Sequence, residues 1–203
     1  MDRAPFELVF FDLGGVLFHV HIERFYKKFS RSSGKSVQEL LNDKAEMMSV
    51  YRRFECGQMT PENFYRAIKA DVAGLDFRKF HSIYTDIFSI DREVSDIIRQ
   101  LATRKRVSVI SNTDVLHFDY LCRYYPIMNR FEHPTTSFLA QCRKPDRQIF
   151  QFALARVGLT AEKVLFIDDI AENVAGAETA GIRSELFTNA ENLRKYLETY
   201  DML

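Results

Sequence analysis

The chain has 203 residues, of which 46% are hydrophobic, enough for one well-packed domain with room for a small second module. Lysine plus arginine and aspartate plus glutamate number 28 each, so no net charge attracts nucleic acid or an anionic membrane surface. We therefore expect a small-molecule partner, with no nucleic acid and no membrane involved.

The chain has three cysteines: Cys56, Cys122 and Cys142. Their odd number and the lack of histidines at metal-ligand spacing predict reduced thiols in a cytoplasmic protein. The apolar run from Phe6 to Val20 resembles a signal peptide, but Asp12 in its middle favours a buried strand that ends at a functional loop. No apolar run approaches the roughly 20 residues that a membrane span needs. These features predict a soluble protein, which we expect to be a monomer or a weak homo-oligomer.

Four short apolar runs predict buried strands, at residues 7–11, 107–110, 164–167 and 184–187. Their continuous hydrophobicity is typical of parallel strands covered on both faces. Helical patterns lie between or after them, at residues 94–102, 147–157, 173–180 and 190–197. This alternation predicts a doubly wound α/β fold with a Rossmann-like parallel sheet core.

The first two predicted strands are separated by about 95 residues, more than a simple crossover needs. The segment between them is rich in helix formers and aromatics. It also has a helix start at Thr60-Pro61-Glu62, where a capping hydroxyl precedes a proline at the first helical position. We therefore expect a helical cap at residues 18–84, inserted into a catalytic core of residues 1–17 and 85–203.

Polar side chains follow the predicted strands where ligands bind in an open parallel sheet. Asp12-Leu13-Gly14-Gly15 follows the first strand, Ser111-Asn112-Thr113 the second and Asp168-Asp169 the third, while Lys144-Pro145 precedes a helix. Together these four motifs resemble those of the haloacid dehalogenase superfamily of hydrolases and phosphotransferases, in order and over nearly the whole chain. Within it, the motifs and cap residues 53–64 resemble the small-capped bacterial sugar-phosphate phosphatases, of the alpha-D-glucose-1-phosphate phosphatase type.

The resemblance implies a role for each motif. Asp12 would attack phosphorus and form an aspartyl-phosphate, which splits one difficult hydrolysis into two displacements. Mg²⁺ prefers oxygen ligands, and it would be held by four groups: the Asp12 carboxylate, the Gly14 carbonyl, Asp168 and Asp169. Two polar groups would bind the phosphoryl oxygens: the Ser111 hydroxyl and the Asn112 amide. Lys144 would balance the charge of the nucleophile and the phosphoryl group, and Asn173 would support the acidic loop or Lys144.

The chain departs from the superfamily pattern at Gly14, where many of its phosphatases carry a second aspartate as general acid. General acid–base help is typically worth about 10²–10⁴-fold in rate. A sugar 1-phosphate tolerates this loss better because its hemiacetal hydroxyl is a more acidic leaving group. His19 or His21 is an alternative proton donor, since histidine titrates near neutrality.

Other interpretations remain open. One is a weakly active or inactive protein that binds phosphosugars, and another is a metal-independent, dehalogenase-type hydrolase. The acidic pair Asp168-Asp169 favours phosphate chemistry over dehalogenation, which needs no divalent metal. Arg53, Glu55 and Gln58 face either the substrate or the solvent on the cap surface. The sequence thus predicts a magnesium-dependent phosphatase whose substrate is a small phosphorylated metabolite, favouring a sugar phosphate.

Overall fold

A computed structural model describes residues 6–34, 36, 38, 44–69 and 75–203. Parts of the predicted cap and core, residues 1–5, 35, 37, 39–43 and 70–74, lie outside the described residues. The strands are β1 (Leu8–Phe11), β2 (Phe18–Val20), β3 (Phe88–Ile90), β4 (Arg106–Ser111), β5 (Thr135–Thr136), β6 (Val164–Asp168) and β7 (Arg183–Leu186).

The helices within the predicted cap region are α1 (Ile22–Ser33), α2 (Lys44–Glu55), α3 (Pro61–Lys69) and α4 (Phe77–Thr85). Those that follow are α5 (Arg92–Leu101), α6 (Val115–Tyr124), α7 (Ser137–Ala140), α8 (Arg147–Val157), α9 (Ala171–Thr179) and α10 (Ala190–Thr199). Single 3₁₀ turns span Pro126–Arg130 and Ala161–Lys163.

The main sheet is parallel, with strand order β5-β4-β1-β6-β7. The chain runs from β1 to β4 and β5 on one side and then crosses to β6 and β7 on the other. Strand order therefore reverses at β1, and the carboxyl ends of β1, β4 and β6 meet at this switch point. This arrangement confirms the predicted α/β fold, and the four predicted strands match the observed ones to within one residue at each end.

Hydrophobic side chains of the sheet alternate between two cores, one on each face. Val9 and Phe11 of β1 pack with α5 and α10 residues, whereas Leu8 and Phe10 pack with residues of α8 and α9. All four of these side chains are fully buried. Burial on both faces explains the continuous hydrophobicity of the strand sequences.

A third hydrophobic cluster holds the four helices α1, α2, α3 and α4 together. It is largely aromatic, and its buried aromatic members are Phe25, Phe29, Phe54, Phe64, Phe80 and Tyr84. Helix α3 begins at Pro61 as predicted, and the Thr60 hydroxyl accepts a hydrogen bond from the Asn63 backbone N–H at 3.2 Å. These helices agree with the predicted helical insertion. Its limits at residues 18 and 84 stay a prediction.

Several elements were not predicted from the sequence. The strands β2 and β3 pair antiparallel beside the helical insertion, and each is only three residues long. Strand β5 has only two residues, both threonine, so it lacks an apolar run. Helix α6 begins at Val115, directly after Asp114, whose carboxylate accepts a hydrogen bond from the His117 N–H at 3.0 Å. No helical pattern was predicted there.

Candidate active site

Three carboxylates converge where β1 and β6 end side by side. Asp12 directly follows β1, Asp168 is the last residue of β6, and Asp169 follows it. One oxygen from each carboxylate lies within 4.8 Å of the others, an arrangement that could hold a metal ion. Carboxylate oxygens are the ligands that Mg²⁺ prefers, so the donor set fits the predicted cofactor.

Lys144 is the cation of this cluster. Its Nζ lies 2.9 Å from Asp12 Oδ1 and 2.7 Å from Asp168 Oδ2, and its side chain is fully buried. The segment that carries it is fixed by Asn112, whose side chain accepts a hydrogen bond from the Lys144 N–H at 2.8 Å and donates one to its carbonyl at 3.0 Å. Asn112 was predicted to bind a phosphoryl oxygen. In the structure its side-chain amide is hydrogen-bonded to the Lys144 backbone.

The Asp168 carboxylate is saturated with hydrogen bonds. Its Oδ1 accepts from the Ile170 N–H at 2.8 Å and from Asn173 Nδ2 at 3.0 Å. Its Oδ2 accepts from Lys144 and, at 3.2 Å, from Asn173. A carboxylate offers about four acceptor positions, so Asp168 is well placed to orient Lys144. Asn173 therefore hydrogen-bonds the acidic loop at Asp168.

Asp169 lies against the glycine loop that follows β1. Gly15 has φ of 85°, and a Cβ built on it would clash with the Asp169 carboxylate. The backbone conformation therefore disfavours a side chain at position 15, and a Cβ there would displace the Asp169 carboxylate. Burial raises the pKa of Asp169, and the neighbouring Asp168 charge adds to this effect.

The pKa of Asp12 is raised from its ordinary value to about 6. Burial is the main cause, Lys144 opposes it, and the Asp168 charge raises the pKa further. The Leu13 backbone N–H also donates to Asp12 Oδ1 at 2.7 Å. Asp12 therefore lies in an environment where added positive charge would favour its ionised form.

A cavity of about 550 Å³ opens over this cluster, and we call it the catalytic cavity. It is lined by Asp12, Gly14, Gly15, His19, Val20, Glu55, Asn112, Arg143, Asp169, Ile170 and Asn173. Of the two histidines weighed as proton donors, His19 lines it and lies 3.5 Å from Asp91. His21 instead contacts Ser89 Oγ at 2.7 Å and is not among the lining residues.

The helical insertion contributes Glu55, at the end of α2. Its side chain is buried, and its Oε2 lies 3.1 Å from Arg143 Nε without hydrogen-bond alignment. Burial raises the pKa of Glu55, and Arg143 opposes this shift. Arg53 and Gln58, considered with it, are exposed and do not line the cavity. Arg143 was missed as a site residue, although it directly precedes Lys144 in the motif.

Ser111 is buried at the end of β4 and lines a second cavity of about 380 Å³, which adjoins the first. We call it the apolar cavity; it lies between the helical insertion, the β2–β3 ribbon and α6. No sequence motif signalled it, because its walls come from hydrophobic residues spread over seven elements and the loops beside them.

Among the described residues, no helix combines the length and apolarity of a membrane span.

Comparison with known proteins identifies relatives of the chain. It is 23% identical over 184 residues to a sesquiterpene phosphatase of Aspergillus oryzae, covering 88% of each chain. It is 26% identical over 182 residues to an (S)-2-haloacid dehalogenase of a Pseudomonas species, covering 84% of this chain and 78% of the other.

The fold is shared with solved structures. A haloacid dehalogenase family enzyme of Bacteroides thetaiotaomicron, crystallised with magnesium and inorganic phosphate, superposes with a TM-score of 0.81. The two are 22% identical, and the match covers 90% of this chain and 94% of the other. The family model for haloacid dehalogenase-like hydrolases matches residues 6–181. The chain belongs to the haloacid dehalogenase-like hydrolases.

Proposed function

We propose that the protein is a magnesium-dependent phosphatase that hydrolyses a small phosphorylated metabolite through an aspartyl-phosphate on Asp12. The observation that carries this proposal is the cluster of three carboxylates around the buried Lys144 at the switch point of the sheet. The phosphatase relative from Aspergillus oryzae supports phosphate chemistry, and the solved structure with magnesium and phosphate supports the metal.

In the first step, an Asp12 oxygen attacks phosphorus and the bond to the ester oxygen breaks. In the second, water attacks the aspartyl-phosphate, which releases inorganic phosphate and restores the carboxylate. Lys144 lies 2.9 Å from Asp12 and would reduce the repulsion between the nucleophile and the phosphoryl anion. At the end of β4, the Ser111 hydroxyl would bind a phosphoryl oxygen. Asn112 would bind one through its backbone N–H, because its side chain is engaged with Lys144.

The residues that would hold Mg²⁺ are Asp12, Gly14 through its carbonyl, Asp168 and Asp169. When bound, the ion would neutralise charge on the phosphoryl group and on the nucleophile. Because Asp168 already accepts four hydrogen bonds, we assign the direct contacts first to Asp12 and Asp169, with Asp168 acting through water or directly. The insertion at residues 18–84 would act as a cap that excludes bulk water.

The leaving oxygen needs a proton, and Gly14 supplies none. His19 and Glu55 both line the catalytic cavity. The raised pKa of Glu55 keeps a larger share of it protonated, as a general acid requires. A sugar 1-phosphate, the substrate class favoured by the sequence, would need this help least.

Cytoplasmic location and a monomeric or weakly associated state also stay predictions.

The test is phosphate release from a panel of sugar, alkyl and aryl phosphates, with magnesium and then with excess chelator. Asp12→Asn should abolish release while circular dichroism and unfolding remain those of a folded protein. Asp119→Asn is the matched control because Asp119 is exposed and outside the cavity, so its activity should equal the wild type.

The dehalogenase relative defines the competing outcome. Halide release from a 2-haloacid that persists in chelator, with no phosphate released from any ester, would contradict the proposal. Substantial phosphatase activity in Asp12→Asn would instead reject the covalent mechanism. Tight phosphosugar binding without turnover would indicate a binding protein.

A further inference from the structure

The apolar cavity adjoins the catalytic cavity. Three residues line both of them: Gly14, Val20 and Asn112. Leu13, directly after the proposed nucleophile, and Ser111 also line the apolar cavity. These shared residues place the apolar cavity directly beside the position that a phosphoryl group would take at Asp12.

The walls of the apolar cavity are hydrophobic. The contributing side chains include Phe25 of α1, Met47 and Met48 of α2, and Phe64 and Ile68 of α3. Phe88 of β3 and Leu121 of α6 complete the opposite wall. Methionine adapts its shape to irregular apolar partners, which suits a cavity that receives a flexible chain.

Three of the polar side chains in these walls, those of Tyr51, Tyr84 and His117, already have partners within the protein. The Tyr84 hydroxyl donates to Asp114 at 2.6 Å. The ring of His117 lies 2.8 Å from Asp114 through Nδ1 and 3.0 Å from the Tyr84 carbonyl through Nε2. The Tyr51 hydroxyl hydrogen-bonds Glu55. A sugar placed there would compete for these groups or leave hydroxyls unpaired, which is costly in a dry site.

The size of the space also suits a ligand. A volume of about 380 Å³ falls within the range of roughly 300–1,000 Å³ that small-molecule sites occupy. Such sites are mostly apolar with a few polar groups that fix orientation. Here the charged groups Asp12, Arg143 and Asp169 line the catalytic cavity, whereas the walls of the apolar cavity are mostly hydrophobic.

We propose that the substrate is a phosphate monoester of a hydrophobic alcohol, with the phosphate at Asp12 and the alcohol in the apolar cavity. This inference rests on the proposed phosphatase function and names its substrate class. Hydrolysis breaks the phosphorus–ester oxygen bond, and water supplies one oxygen of the released phosphate. The alcohol oxygen takes up a proton as it leaves, and the proton that the attacking water loses restores the balance. Apolar contacts bind the alcohol, so chain length governs affinity.

The experiment compares straight-chain alkyl phosphates of two to six carbons with sugar phosphates, with magnesium present. Each added methylene should raise kcat/KM by about 4-fold, the equivalent of about 0.8 kcal/mol for a buried methylene. From ethyl to hexyl phosphate the gain should approach roughly two orders of magnitude. The corresponding alkylphosphonates, which cannot be hydrolysed, measure binding to the wild-type protein by calorimetry. Tighter binding with chain length should be accompanied by an increasingly negative heat-capacity change.

Single-residue variants test whether the preference for longer alkyl chains arises in the apolar cavity. Met48 is 39% exposed, so Met48→Glu places a charge in the wall without burying it fully. It should lower kcat/KM for hexyl phosphate about tenfold more than kcat/KM for ethyl phosphate, while Met48→Leu should retain the chain-length preference. Leu139 is 44% exposed and lines neither cavity, so Leu139→Glu is the matched control and should leave the preference intact.

The outcomes separate this inference from the proposed function. A sugar phosphate as best substrate, with a flat alkyl series, would overturn the inference and leave the phosphatase standing. No turnover of any ester, with alkylphosphonate binding that tightens with length, would support the apolar site and reject the phosphatase. Binding that does not change with chain length overturns the inference whether or not the protein turns over.

Discussion

Replacing Lys144 by methionine should strongly destabilise the protein. Its Nζ lies within 2.9 Å of two buried carboxylates, those of Asp12 and Asp168, and its side chain is fully buried. Removing one partner of a buried ion pair costs about 3–5 kcal/mol because the remaining charge is left uncompensated. Lys144 opposes the rise in the pKa of Asp12, so its loss should also shift this pKa above about 6.

The assay is urea-induced unfolding at neutral pH in chelator, so that bound metal does not contribute. Asp168→Asn and the double variant complete a double-mutant cycle, which should give a coupling of about 1–3 kcal/mol. Lys163→Met is the matched control: Lys163 also pairs with a carboxylate, Glu7, at 2.8 Å, but on the surface. Exposed pairs contribute little, so this variant should unfold almost like the wild type. Equal losses in Lys144→Met and Lys163→Met would refute the reasoning.

Three further predictions concern Gly15 in the loop after β1, Asp169 in the acidic loop, and Asp114 at the N-terminus of α6. Gly15→Ala should weaken magnesium affinity in a calorimetric titration, because its Cβ would displace the Asp169 carboxylate and its φ of 85° disfavours alanine; unchanged affinity would contradict this. Asp169→Asn should lower magnesium affinity at least about tenfold while the free energy of unfolding stays near that of the wild type, since the residue is exposed. Asp114→Asn should destabilise the protein by about 1.5–3 kcal/mol at neutral pH, through weaker hydrogen bonds to Tyr84 and His117. Burial alone would raise the pKa of Asp114, but these partners lower it below its ordinary 3.8. The stabilisation is therefore fully present above that pH and lost as pH falls through the folded-state pKa, so the gap between wild type and Asp114→Asn should narrow only below about pH 4.

The sequence determined the parts of this protein that depend on local pattern. Continuous apolar runs located β1, β4 and β6, because strands buried on both faces have no polar side. Strand β7 lies at the edge of the sheet and is only partly buried, and the run that located it also contains Ser184 and Glu185. The Thr60-Pro61 pair located the start of α3, because capping chemistry acts within one turn. The acidic and polar residues after β1, β4 and β6 indicated the candidate site, because the carboxyl ends of parallel strands share one edge.

The tertiary structure decided what depends on residues far apart in the chain. Lys144 lies between Asp12 and Asp168 because β1 and β6 are neighbours and Asn112 fixes the segment before α8. The sequence alone did not decide whether Glu55 faces the substrate or the solvent. In the structure it is buried beside Arg143. No pattern in the sequence predicted the apolar cavity, because its walls consist of the same hydrophobic residue types that fill an ordinary core. Only the packing of the helical insertion against the sheet leaves space between those walls, next to the proposed nucleophile.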